Sequence, residues 1–274
     1  MTAPVPPPAT PGVTPPVPGP RLVDDATLAT ELVRAAGSLA RRMRADGVDM
    51  SQKSSISDIV TAADHAAEEL VVSRLREQRP ADGVVGEEGA EAAGTSGRTW
   101  VIDPVDGTYN FFHGLTWWCS AIALRTGDDA VLGAVFHPHD DVVWVGGPDL
   151  ATTRNGVEVE PMTDRPLGQV SVATYLHPPY FSQQHVDEPF RRVVARAATL
   201  RMLGSGSMDL SAVADGRLGL WFQHSVPAWD WLPGKALVEG AGGVARQVTV
   251  DGVIWSVAGG RQAVDEAVGA LVGA

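Results

Sequence analysis

The chain has 274 residues, of which 44% are hydrophobic, a formal net charge of −12 and a single cysteine. That length can bury one large core or two lobes built together, and no apolar run approaches the roughly 20 residues of a membrane helix. The acidic balance, with no offsetting Lys/Arg cluster, makes the chain a poor candidate for nucleic-acid binding by phosphate neutralisation, and none is expected; the lone Cys119 excludes an intrachain disulfide and fits a reducing, cytoplasmic setting.

Residues 1–21 are proline-rich, without the basic, apolar and small-residue order of a signal peptide, and read as an extended, disordered arm outside the fold. Residues 25–44 read as an amphipathic helix, with Leu28, Leu32, Ala35, Ala36, Leu39 and Met43 at spacings of three and four. Its Arg41, Arg42 and Arg44 read as a solvated face. A second helix carries Ala63, Ala67, Leu70, Val71 and Leu75 on one side, with Asp64 near its start. VVGEEG is a short strand running into Glu87 and Glu88, GAEAAGTSGR a flexible loop, and TWVID a strand that ends on Asp103. The runs AIALRT, AVLGAVFH and DVVWVGG form a meander, and Asn155-Gly156 is a hairpin turn. Beyond about residue 168, strands alternate with helices, which suggests a second α/β layer. The expected architecture is α+β, with 22–150 an N-terminal lobe bearing a metal site and 151–274 a C-terminal lobe completing it in one compact unit.

The acids stand at element ends: Glu87 and Asp103 after strands, Asp106 in the following turn, Asp230 at the start of a helix. Asp-Pro and Asp-Gly are common turn formers, and Asp230 also suits an N-cap, with Pro233 in the tolerant first turn. Element ends, however, let polar groups converge on one cleft. Clustered hard oxygens suit Mg²⁺, which could activate a water and neutralise a phosphate. Gly107 and Thr108 then open a short helix whose amides could seat that phosphate.

IDPVDGTYNF resembles the signature of the inositol monophosphatase family, the Mg²⁺-dependent, lithium-sensitive phosphatases. WDWLPGKALVEGAGG resembles its second signature, KSSISDIVTAAD its lysine-to-aspartate segment, and VVGEEG its acidic strand end. The four occur in family order, across about residues 25–270. The resemblance implies a layered αβαβα sandwich, two to three Mg²⁺ ions and, as is common in the family, a homodimer. Glu87, Asp103 and the carbonyl of Val105 would hold the first ion. Asp103, Asp106 and Asp230 would hold a second. Thr108, paired with Asp64 and with Glu87 nearby, would position and deprotonate the attacking water. Gly107 and Thr108 would seat the phosphate, with Asp106, Gly206 and Gln223 on the substrate side.

The substrate side departs from the inositol enzymes. Gln223 stands where those enzymes carry a glutamate, Gly206 where alanine is usual, and Trp231, Leu232 and Pro233 where small residues follow the aspartate. The resemblance therefore implies hydrolysis of a small phosphorylated alcohol, inositol-1-phosphate first and histidinol phosphate second. Fructose bisphosphate and adenosine bisphosphate follow, since nothing basic is at hand for a second phosphate. The non-enzyme alternative is a regulatory or binding protein on the same fold.

Overall fold

The computed structural model describes residues 19–47, 50–52 and 59–274. Most of the proline-rich tail and the KSSISD part of the lysine-to-aspartate segment lie outside the described residues. Helix α1 (Pro20–Asp46) begins earlier than its periodicity suggests, on a proline whose missing N–H costs nothing in a first turn. The first half continues with β1 (Met50–Gln52), β2 (Ile59–Thr61), α2 (Ala62–Gln78), β3 (Gly83–Gly86), β4 (Glu91–Ala92), β5 (Arg98–Asp106) and α3 (Thr108–Phe112). A meander follows: β6 (Cys119–Thr126), β7 (Asp129–His137), β8 (Val142–Gly147), β9 (Leu150–Arg154) and β10 (Val157–Glu158). The GAEAAGTSGR stretch is not all loop, because β4 pairs with β3 within it. The Asn155-Gly156 turn joins β9 to β10 with both residues at positive φ, the conformation that such a hairpin needs.

The second half comprises β11 (Ser171–Ala173), α4 (Gln184–Val194), β12 (Thr199–Arg201), α5 (Gly206–Ala214), β13 (Leu220–His224), α6 (Ala228–Gly240), β14 (Val244–Val250), β15 (Val253–Gly259) and α7 (Arg261–Val272). Strands β3 to β10 make an eight-stranded sheet in the order 10-9-8-7-6-5-3-4, and a five-stranded sheet runs 12-11-13-15-14.

Three apolar cores stack these elements into layers. Leu28, Leu32 and Ala36 of α1, with Val71 and Leu75 of α2, cover Trp100, Ile102, Ile122 and Leu132 on one face of the large sheet. Its other face, through Val101, Ala121 and Ala123, meets α5 and α6, whose far side packs on Ala173, Trp221 and Ala258 of the small sheet. Phe190, Val193, Val264 and Leu271 of α4 and α7 cover Phe222, Trp255 and Val257 beyond it. The result is an αβαβα sandwich.

In the middle layer α6 lies very close to β7. A Cβ on Gly133 would stand 2.1 Å from the carbonyl oxygen of Pro233. Pro233 is the sixth residue of α6, in its second turn rather than the first, so its ring prevents an internal helix bond at that point. Gly133→Ala must push the helix off the sheet and is expected to destabilise by about 1–3 kcal/mol, the usual range for overpacking. A denaturant titration would read this, and an unchanged midpoint would show that α6 tolerates the shift.

Candidate active site

The site begins with the period of β5. Successive side chains of a strand alternate faces, so Trp100 and Ile102 point to the outer helices while Val101 and Asp103 point to the middle layer. In a regular strand Asp106, three residues on, would face away from Asp103. The pairing shows why it does not: Asp103 lies opposite Ala121 and Asp106 opposite Cys119, three steps on β5 against two on β6. The extra residue is a bulge, and it turns both aspartates towards α5 and α6. β5 therefore does not stop at Asp103; it continues, irregularly, to Asp106. The bulge is pinned from both sides: the Val105 N–H donates to Asp103 Oδ1 (3.1 Å) and the Ser120 hydroxyl to the Pro104 carbonyl.

The turn after β5 needs its glycine. Gly107 has φ 93°, and a Cβ there would stand 3.1 Å from both the Gly204 carbonyl oxygen and Ser205 Cβ. Thr108 opens α3, and its hydroxyl lies 3.0 Å from the Val105 carbonyl oxygen and 3.2 Å from Asp64 Oδ1. Asp64 is the third residue of α2 and fully buried. The Asn110 amide ties this turn to the second half by donating to the carbonyls of Trp117 and Leu203, both at 2.7 Å. Arg44 is not the solvated cation its sequence context suggests. It donates to the carbonyls of Phe111 (3.2 Å) and Leu115 (3.0 Å), and burial lowers its pKa.

Glu87, Asp103, Asp106 and Asp230 line one cavity of about 420 Å³, with Gly107 and Thr108 on its wall and Gly206 and Gln223 opposite. Glu87 follows β3 directly, its N–H bonded to the Ile102 carbonyl at 3.1 Å. Asp230 lies inside the first turn of α6 and is not its N-cap, a position held by Pro227. Asp106 accepts the N–H groups of Gly206 and Ser207, so the start of α5 is fastened to the bulge. At Gly206 a Cβ would have room, the nearest atom being 3.7 Å away.

Burial first, then the field of Glu87, Asp106 and Asp230, holds Asp103 well above the ordinary carboxylate range. Asp230 is raised well above it by burial and by Asp106 and Glu87. Asp106 is raised less, because the Ser207 and Gly206 N–H groups oppose its burial. Cys119 is buried beside these acids, and its thiol is pushed well up by burial and by their charges. Among the described residues, no group of three or more Asp, Glu, His or Cys side chains is arranged as it stands to hold a metal ion. The fold instead gathers buried oxygens that disfavour one another's charge. Such a set fits a hard divalent cation, which takes oxygen ligands and relieves that repulsion.

This has a pH consequence. Without a cation, the folded state keeps protons on Asp103 and Asp230 that the unfolded chain releases. Their unfavourable contribution is absent below the ordinary carboxylate pKa and grows as pH rises towards the raised values. In chelator, the Tm of Asp103→Asn minus that of the natural chain should therefore increase as pH rises above about 4, the ordinary carboxylate pKa. A pH-independent difference would contradict the assigned shifts.

Sequence reasoning missed part of the lining. Tyr175 and His177 follow β11, Met202 and Leu203 follow β12, and Trp221 lies on β13 two residues before the expected Gln223. β11 is parallel to both β12 and β13, so these positions share one end of the small sheet. Ligand clefts in open α/β sheets lie beyond the carboxyl ends of parallel strands, and the strand–helix alternation after residue 168 was the available signal.

The family model described as "Inositol monophosphatase family" matches residues 23–269. Inositol-1-monophosphatase of Rhizobium meliloti is 33% identical over 195 residues, covering 68% of this chain and 71% of the relative. Nus factor SuhB of Escherichia coli is 31% identical over 228 residues, covering 81% and 84%. The crystal structure of extragenic suppressor protein suhB from Bartonella henselae superposes with a TM-score of 0.80 at 25% identity, covering 91% of this chain and 98% of that one.

Proposed function

The chain belongs to the inositol monophosphatase family and is a phosphoric monoester hydrolase, and on that premise we propose that it hydrolyses a small phosphorylated alcohol, inositol-1-phosphate first, at the cavity between its sheets. The observation that supports this most is the convergence of Glu87, Asp103, Asp106 and Asp230 on one cavity beside the Gly107–Thr108 turn. Mg²⁺ dependence is general in the family. Two to three ions are proposed here, held by Glu87, Asp103, the Val105 carbonyl, Asp106 and Asp230. Bound Mg²⁺ supplies charge neutralisation for a phosphate of about two negative charges and acidifies a water.

The chain's own groups do the rest. The Thr108 hydroxyl has one proton and two acceptors in reach. Donated to Asp64, that proton leaves the oxygen lone pair free to take a proton from a water in the cavity. One proton then moves from water to Thr108 and one from Thr108 to Asp64, while the water oxygen bonds to phosphorus, the ester P–O bond breaks and the departing alkoxide takes a proton from solvent water to leave as the alcohol. The Gly107–Thr108 backbone would hold the phosphate in line, so that most of the catalysis is positioning and charge neutralisation.

No Lys or Arg is among the described residues lining the cavity, which favours a single phosphate over fructose or adenosine bisphosphates. Histidinol phosphate is the runner-up. A regulatory or binding role is a second reading, drawn from the similarity to Nus factor SuhB; the complete set of acids favours turnover. Homodimer formation and lithium inhibition are proposed on family grounds. A kcat/KM panel of inositol-1-phosphate, histidinol phosphate, fructose bisphosphate and adenosine bisphosphate tests the substrate, and a clear preference for any but the first overturns it.

Gln223 bears on selectivity. Charged acceptors bind hydroxyl donors more strongly than neutral ones, so Gln223→Glu is expected to raise the kcat/KM ratio of inositol-1-phosphate over a simple aryl phosphate by roughly 10-fold, about 1.4 kcal/mol. An unchanged ratio would take Gln223 out of substrate recognition.

A further inference from the structure

Glu68 has no role in the reaction just described, yet its surroundings are unusually specific. It is only 5% exposed, and both carboxylate oxygens accept backbone donors: Oε2 the N–H of Glu88 and Oε1 that of Ala90, each at 2.9 Å. The strand end leaves space for it. A Cβ on Gly86 would stand 2.1 Å from Glu68 Oε2, so that position must be glycine for the carboxylate to enter. The Gly86 N–H closes the turn onto the Ala90 carbonyl at 2.7 Å. Residues 86–90 are thus wrapped around one carboxylate, and Glu87 is carried in that turn. Bonded to β5 through its own N–H, Glu87 is fixed on one side by the sheet and on the other by Glu68.

The same helix also reaches the nucleophile side. Residues four apart on a helix share a face: Asp64 receives the Thr108 hydroxyl, and Glu68, one turn later, holds the Glu87 turn. His65, on the same helix, has its Nδ1 3.7 Å from the Glu88 carboxylate.

We propose that Glu68 is a positioning residue that sets the Glu87 carboxylate for the divalent cation and links it, through α2, to the Asp64–Thr108 pair. This rests on the reading of Glu87 as a cation ligand. Glu68→Gln is close to isosteric, but its amide nitrogen confronts one of the two N–H donors and loosens the turn. Groups that orient metal ligands are worth about 10–100-fold in metal affinity.

The test is titration calorimetry with Mg²⁺ on the full chain. Glu68→Gln is expected to weaken apparent Mg²⁺ affinity by about 10-fold or more, with KM for the phosphate ester nearly unchanged. Gly86→Ala, which drives Glu68 from its seat, should do the same. Leu75→Ala, buried on the same helix away from the turn, controls for mere destabilisation: its Tm should fall and its Mg²⁺ affinity should hold. In a Glu87→Ala background, Glu68→Gln should cost no further affinity, since it acts through Glu87. Full Mg²⁺ affinity in Glu68→Gln, or fully additive losses in the double variant, overturns the positioning role while leaving Glu87 a ligand. Full affinity in Glu87→Ala overturns the ligand reading and this inference with it.

Discussion

Asp103→Asn is expected to lower Mg²⁺-dependent hydrolysis by roughly 10³-fold or more, about 4 kcal/mol of transition-state stabilisation, while making the chain more stable in chelator. Both effects follow from the same surroundings. Asp103 is buried and stands in the field of Glu87, Asp106 and Asp230. Asparagine keeps an oxygen to accept the Val105 N–H, so the bulge survives. What it loses is the negative charge at the centre of the four acids, which in the proposed site would help to hold the cations. Without a cation the same charge is a liability, because like charges brought together in a buried site disfavour the fold. The expected gain in chelator is a few degrees, since ~1 kcal/mol moves Tm by about 2–4 °C in domains of 150–250 residues. Activity is read at saturating Mg²⁺ and Tm in chelator. An active Asp103→Asn enzyme would remove the role of Asp103 in holding the cations; an inactive variant with lower stability in chelator would mean that the acids are held by something other than their burial and mutual field.

The second large effect concerns the proton path. Thr108→Val is expected to lower kcat by about 10²-fold or more, the lower end for general acid–base groups, with KM changed little. In the proposed mechanism the hydroxyl would act in the chemical step rather than in ground-state binding, and such losses fall on kcat. Asp64→Asn should cost a similar factor, because an amide takes no proton from Thr108. The double variant should be little worse than either single one, as groups acting as a unit lose function together. Thr108→Val also removes a donor from the fully buried Asp64, a stability cost of about 1–3 kcal/mol, so kcat must be compared well below the Tm of each variant. Multiplicative losses would separate the two residues and reduce Asp64 to a structural acid of α2.

The two experiments fail in different ways. Asp103 tests whether the acids hold cations at all, and Thr108 tests how the water loses its proton once they do. A chain that loses activity with Asp103→Asn but keeps it with Thr108→Val would retain the metal site and need another base, for which Glu87, on the same cavity, is the nearest candidate.

Local chemistry carried much of this protein in the sequence alone. Apolar spacings fixed the faces of α1 and α2, and alternation fixed the strands of the meander. Asp-Pro, Asp-Gly and Asn-Gly marked the turns, and the acids at element ends pointed to side chains that the fold brings to one cavity, because turn preference and ligand chemistry both favour aspartate there. Other features depend on which segments meet. A spacing of three between Asp103 and Asp106 implies opposite faces in a regular strand; only the pairing of β5 with β6 reveals the extra residue that brings them together. Glu68 in sequence is one acid among several on an amphipathic helix, ordinarily a solvated position. It is buried because Gly86 leaves a gap for it and the 86–90 turn supplies two N–H donors. Arg44 reads as surface charge until Phe111 and Leu115 offer it their carbonyls. Tyr175, Met202 and Trp221 reach the cavity only because β11, β12 and β13 end at the same edge of the small sheet. Periodicity and turn preference act over a few residues, so the sequence displays them directly; convergence on a cavity is set by register and layer packing, which join residues more than a hundred positions apart.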